Sequence, residues 1–182
     1  MPSMDKVNAK AKHLPKLRKQ TKTIVFDLDE TLIHCVDDID TEPHDIVLQV
    51  PFPSGDKVEA GINVRPYARQ ALQACVEQGF EVIVFTASHK FYADTVLDWL
   101  DPEKKLIQHR LYRDNCICTG DNVYVKDLRV LKNRKLKDII IIDNAVYSFA
   151  FHLDNGIPIV PYYHDKSDEE LMHLVGYLKW LG

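Results

Sequence analysis

Four short apolar runs recur along the chain: "TIVFDL" from Thr23, "EVIVFTA" from Glu81, "KDIIIID" from Lys137 and "GIPIVP" from Gly156. Near-unbroken Val and Ile runs of this length mark strands buried on both faces, as in a parallel sheet. Between them the period changes to that of a helix. After Pro66, which suits a first helical position, Ala68, Leu72, Cys75 and Val76 share a face, and Gly79 suits the C-terminal cap. Ser88 is placed to cap a helix carrying Tyr92, Val96, Trp99 and Leu100, stopped by Pro102. Ser167-x-x-Glu170 matches a capping box leading into Leu171, Leu174, Val175 and Leu178. Strands interleaved with helices predict an α/β fold, a Rossmann-like parallel sheet with helices on both faces. Residues 37–64 break the alternation. There "DIVLQV" and "KVEAGINV", joined through "PFPSGD", predict a small antiparallel β insertion after the first strand.

The 182 residues, 46% hydrophobic and 27% charged, suit one compact domain. No apolar run is long enough to span a bilayer, and the N-terminus has no apolar signal region. The expectation is a soluble intracellular protein, nuclear or cytoplasmic, monomeric, with no membrane span. Cys35, Cys75, Cys116 and Cys118 form neither a disulfide framework nor a zinc site, and read as reduced thiols. Charge is uneven: residues 1–22 carry seven basic residues against Asp5, whereas the rest carries sixteen against twenty-six acidic ones. Residues 1–21 therefore read as a flexible, solvated basic arm and 22–182 as the folded domain. The acidic body argues against direct nucleic-acid binding.

Three of the predicted strands end in polar groups: Asp27 and Asp29, Thr86 and Ser88, Asp143 and Asn144. Ligands of open parallel sheets sit beyond those carboxyl ends. If the strands are neighbours, at least three carboxylates and an amide meet at one rim, where their repulsion calls for a cation or for protons. An all-oxygen donor set without convergent Cys or His favours Mg²⁺, which keeps part of its shell for water and phosphate.

The strings "DLDET", "FTAS", "VKDL" and "IIIDN", in this order, resemble the haloacid-dehalogenase (HAD-like) superfamily. Within it the chain is similar to the small C-terminal-domain (FCP/SCP-type) phosphatases, a likeness that also covers "LYRDNC" and "NGIPI" and runs from about residue 22 to 181. The resemblance implies a Mg²⁺-dependent phosphatase acting on phosphoserine and phosphothreonine in a phosphorylated protein substrate. It makes Asp27 the nucleophile that becomes an aspartyl-phosphate, and Asp29 the general acid and base. Thr86 would bond a phosphoryl oxygen, Lys126 would neutralise charge, and Arg113 would face the phosphate. Asp27, the Asp29 carbonyl and Asn144 would hold the metal, with Asp143 as ligand or outer partner. Thr31 reads as a residue that orders the nucleophile turn.

Two departures stand out. The last motif reads Asp143-Asn144-Ala145-Val146 where the family has Ser-Pro after the acid–amide pair. The family's apolar pocket for a substrate proline would be lined here by Asp37 and His89, both polar, which predicts a weakened preference for Ser-Pro sites. The competing reading is a catalytically idle relative serving as a phosphoprotein-binding or scaffold module; the intact Asp27 and Asp29 weigh against it.

Overall fold

A computed structural model describes residues 1–17 and 22–181. In chain order these form α1 (Met4–Ala9), β1 (Lys12–His13), β2 (Lys22–Phe26), β3 (Ile33–Cys35), β4 (Ile46–Pro51), β5 (Lys57–Val64), α2 (Ala68–Glu77), β6 (Phe80–Phe85), α3 (Lys90–Leu100) and β7 (His109–Leu111). After these come β8 (Ile117–Cys118), β9 (Tyr124–Val125), β10 (Leu131–Lys132), β11 (Ile139–Asp143), β12 (Gly156–Pro158) and α4 (Glu170–Leu181).

The four apolar runs are β2, β6, β11 and β12. They lie in one parallel sheet of order β12-β11-β2-β6-β7, with β2 central between β11 and β6. Alternate side chains of each strand feed two separate cores. Ile24, Phe26, Val82, Val84 and Ile142 pack beneath α2, α3 and α4. Val25, Ile83, Phe85, Ile139 and Ile141 pack beneath Val7, Leu128, Val130 and Phe149. Among the described residues, helical cover on this second face comes from the short α1 and from 3₁₀ turns such as Leu128–Val130 and Val146–Phe149. The break in periodicity at 37–64 holds β4 and β5, and β3 just before it completes an antiparallel three-stranded sheet of order β3-β5-β4. Gly55, at φ +95°, supplies the left-handed residue its tight turn requires.

Part of the expected basic arm is folded. Val7 and Leu14 are buried, β1 pairs with β10, and the Arg129 guanidinium donates to the Pro2 carbonyl at 3.2 Å. The apolar positions of a charge-rich segment have found a face that charge counting could not reveal. Arg18 and Lys19 of that arm lie outside the described residues. Two predicted caps also differ. Ser167 donates to Asp165 and leaves Asp168 to accept from the Glu170 N–H. Ser88 does not cap α3, whose N-terminal flank is His89, and Tyr67, at φ +66°, delays α2 to Ala68.

Candidate active site

β2 ends at Phe26, and the chain continues one more rung, with the Asp27 N–H donating to the Ile142 carbonyl at 2.9 Å. It then turns sharply. The Leu28 carbonyl accepts from the N–H groups of Thr31, Leu32 and Ile33, and Glu30 adopts φ +58°. Buried Leu28 anchors this turn, and Asp27 and Asp29 on either side of it both line one cleft. Because β6 and β11 flank β2, Thr86, Ser88, Asp143 and Asn144 reach the same cleft, of about 240 Å³, together with Lys126 and Arg113. All seven candidate residues are thus brought together.

Lys126 is buried and bridges two carboxylates, donating to Asp27 Oδ1 at 2.5 Å and to Asp143 Oδ2 at 2.6 Å. Burial opposes its charge, but the two carboxylates outweigh burial and raise its pKa. Burial pushes the Asp27 carboxyl up, and the Lys126 ammonium works against that rise. Asp143 spends its other oxygen on the Ala145 N–H at 2.8 Å, so it reaches the site through Lys126. Thr86 Oγ1 accepts from the Ser88 N–H at 3.0 Å, which leaves its hydroxyl proton for a ligand in the cleft. The Arg113 guanidinium is held at the rim by the Ala87 carbonyl at 2.6 Å, His89 Nε2 at 3.1 Å and the Tyr124 ring.

The donors around Asn144 test the site for a metal. Its side-chain oxygen lies 3.2 Å from Asp27 Oδ2 and 3.3 Å from the Asp29 carbonyl oxygen, three acceptors with no proton among them. Thr31 Oγ1 is 3.2 Å from Asp27 Oδ2 and 3.3 Å from Asn144 Oδ1, and its single proton serves only one of them. Such crowding is repulsive unless the amide turns over to donate or a cation sits among the oxygens. Neighbouring oxygens on octahedral Mg²⁺ lie ~2.9 Å apart, close to this spacing. One carboxylate, one amide and one main-chain carbonyl form a hard-oxygen set that fits the ion. Among the described residues, no group of three or more His, Cys, Asp or Glu side chains is arranged for a metal.

Two partners of Asp29 were not foreseen. Ser88 Oγ donates to Asp29 Oδ2 at 2.7 Å, and the Tyr92 hydroxyl donates to Oδ1 at 2.7 Å. Ser88 reads locally as a cap and Tyr92 as part of a helix's apolar face. The clue was the lone hydroxyl on that face. Buried Arg65 was also missed; it forks onto Asp168 and donates to the Thr31 carbonyl at 3.2 Å.

Beside the cleft lies a pocket of about 340 Å³. Asp37 and His89 do line it, but so do Val36, Ile39, Val50, Phe52, Val58 and Phe91. The two expected polar residues are in place, but the pocket keeps apolar walls around them. The insertion supplies half of this lining, which two positions read alone could not represent.

Comparison with known proteins identifies relatives of the chain. The chain is 41% identical to CTD small phosphatase-like protein 3 of Caenorhabditis elegans, over 98% of this chain and 61% of that protein. It is 43% identical to CTD small phosphatase-like protein 2 of Dictyostelium discoideum, over 92% and 29%. For CTD nuclear envelope phosphatase 1B of Danio rerio the identity is 35%, over 85% and 64%. The chain thus spans less than two thirds of each of these relatives. The solved structure of Fcp1, an essential RNA polymerase II CTD phosphatase, superposes with a TM-score of 0.65 at 25% identity, covering 88% of this chain and 49% of that one. The sequence pattern of the NLI interacting factor-like phosphatases matches residues 22–182, and the chain belongs to that family of HAD-like phosphatases.

Proposed function

We propose that the chain is a Mg²⁺-dependent protein phosphatase that hydrolyses phosphoserine and phosphothreonine through an aspartyl-phosphate on Asp27. The observation that carries this reading is the pairing of Asp27 on one side with the Lys126 ammonium and on the other with the acceptor oxygens of Asn144 and Asp29. One Asp27 oxygen forms a bond to phosphorus as the bond from phosphorus to the substrate oxygen breaks. Asp29, entering the step as the acid, gives its proton to the departing serine or threonine oxygen. Asp29 then takes a proton from water, whose oxygen attacks phosphorus, releasing inorganic phosphate and freeing Asp27. Ser88 and Tyr92 keep Asp29 aimed through both steps. Lys126 balances charge on Asp27, while Thr86 and Arg113 hold phosphoryl oxygens, since this chemistry asks mainly for positioning and charge stabilisation. Mg²⁺ held by Asp27, the Asp29 carbonyl and Asn144 would supply further neutralisation of the phosphoryl group.

The pocket beside the cleft supports a phosphorylated residue followed by an apolar one. Relatives named CTD phosphatases and a zebrafish relative named for the nuclear envelope support a nucleus-associated phosphoprotein as substrate. Turnover of p-nitrophenyl phosphate and of phosphoserine peptides, with Mg²⁺ and with a chelator, tests the reading. Both activities should require Mg²⁺ and vanish in Asp27→Asn. Peptide hydrolysis that survives either change would refute it.

A further inference from the structure

A groove of about 830 Å³ follows β7, the open edge of the parallel sheet, away from the catalytic cleft. Among the described residues, six lysine and arginine side chains line it against two carboxylates, although the whole chain is net negative. Most of those cations are paired. Arg134 grips Glu81, Arg110 is shared between Asp94 and Asp98, Lys90 pairs with Asp94, and Lys104 reaches Asp98 at 3.9 Å. His109, also in the groove, faces Glu81 at 3.3 Å.

Lys12 and Lys16 differ. Lys12 is half-buried and makes no direct ion pair among the described residues, although Asp94 is near enough to attract it; its ammonium donates to the main-chain carbonyl of Arg110 at 2.8 Å. Burial, and next the charge of Lys90, hold its pKa below the usual lysine value against the opposing attraction of Asp94. Lys16 is exposed, and no ion pair ties it among the described residues. An anion entering the groove relieves both repulsion and desolvation at Lys12.

The groove also leads to the site. Its upper wall is Lys90 and Tyr112, and the next residues inward, His89 and Arg113, line the pocket and Arg113 the cleft as well. The Arg113 N–H donates to the Ser88 carbonyl at 3.0 Å, which joins the two walls. From Ile107 to Tyr112 the edge extends ~16 Å, room for about five residues of extended chain. Among the described residues, Tyr112 is the one Phe, Tyr or Trp lining the groove, and Lys90 lies over its ring at 5.0 Å, which leaves it a poor stacking platform for a nucleic-acid base.

We propose that this groove binds an acidic or multiply phosphorylated stretch of the protein substrate whose phosphoserine occupies the cleft. The proposal rests on the protein-phosphatase reading and adds to it a second, charge-selective contact remote from the reacting phosphorus.

Two phosphopeptides that share one phosphoserine core, one with a five-residue glutamate flank and one with a five-residue glutamine flank, test it on the full chain. The flank is placed on either side of the core. At low salt the acidic flank should raise kcat/KM on the order of tenfold, through KM. The advantage should disappear in Lys12→Gln/Lys16→Gln while p-nitrophenyl phosphate turnover stays unchanged. Equal kcat/KM for the two flanks, or an advantage that survives the double variant, would overturn the proposal. If Lys12 substitution harms folding, exposed Lys16→Glu carries the same comparison. Should neither peptide be hydrolysed while p-nitrophenyl phosphate is, the phosphatase substrate reading fails. The groove is then judged by anisotropy of the labelled, unphosphorylated acidic peptide: binding lost in the double variant supports it, and no binding overturns it. An RNA oligomer or an anionic phosphatidylserine vesicle that displaces the peptide at equal charge and lower concentration would overturn the peptide assignment.

Discussion

The Tyr92 phenol, which lines the pocket beside the cleft, donates to Asp29 Oδ1 at 2.7 Å from a helix that otherwise packs into the core. With Ser88 on the other oxygen, both lone-pair faces of the carboxylate are directed, and its rotation is blocked. A general acid must meet the leaving oxygen within hydrogen-bond reach, so orientation is part of its catalytic contribution. Tyr92→Phe should lower kcat about tenfold with little change in KM, a modest share of the ~10²–10⁴ that general acid–base catalysis supplies. Ser88→Ala should behave alike, and the double variant should approach Asp29→Asn. Steady-state kinetics on p-nitrophenyl phosphate measure this; an unchanged kcat in the double variant would contradict it.

Lys126 stands between two buried carboxylates, and removing it leaves Asp27 and Asp143 facing each other without a counter-charge. Breaking a buried pair this way typically costs about 3–5 kcal/mol. Lys126→Met should therefore melt markedly earlier than the parent. Added Mg²⁺ should restore part of the Tm, because an ion that binds only the folded state stabilises it by mass action. It should not restore activity, since in the proposed reaction Lys126 also balances charge in the transition state. Thermal melts with and without Mg²⁺, read beside turnover, separate the two roles. Asn144→Ala should reduce the Mg²⁺-induced shift.

Much of this centre was legible because its residues follow directly after apolar runs. Asp27, Thr86 and Asp143 each stand next to or at the end of a Val- or Ile-rich strand, and the neighbour relations of parallel strands did the rest. Lys126 and Arg113 were legible only through resemblance, since each sits among other charges in an irregular stretch. Ser88 was legible as a rim residue, but its cap reading failed because a hydroxyl before a helix is locally a good cap, and only the fold presents it with a carboxylate 59 positions away. The arm was misread for a related reason: Val7 and Leu14 gain their burial from partners such as Leu128 and Leu131, which no local window contains. Tertiary contact, not propensity, decided these cases.

Arg65 illustrates the same long reach with a measurable consequence. It is 1% exposed, donates through Nε and Nη2 to both oxygens of Asp168 at 2.8 Å, and bonds the carbonyls of Thr31 and Val160. It thereby ties the turn that carries Asp27 and Asp29 to the segment leading into α4. Lysine cannot reproduce this fork. Arg65→Lys should destabilise the fold by about 3 kcal/mol or more, the cost of breaking a buried, hydrogen-bonded pair. Urea denaturation at neutral pH checks the magnitude. A loss below ~1 kcal/mol would show that water replaces the fork.

Acid stability should be governed in part by Glu81, at the foot of β6. Burial alone would push its carboxyl up, but the hydrogen bonds from Arg134, His109 and Thr23 overcome this and bring it down to about 2, from 4.5. The folded-state value is thus depressed below the unfolded one, and the folded protein holds fewer protons in the interval between them. The sign follows: the stabilisation is fully present above pH 4.5 and is lost as the pH falls toward 2. Its size at neutral pH is about 3 kcal/mol by linkage, appropriate to a side chain that is 4% exposed. Glu81→Gln should therefore lower stability near pH 7 and flatten its dependence on pH between 4.5 and 2, so that the two proteins converge in strong acid. Denaturation midpoints across that range, at constant ionic strength, decide it. Parallel curves for parent and variant would mean that Arg134 and His109 leave the Glu81 carboxyl near its ordinary value.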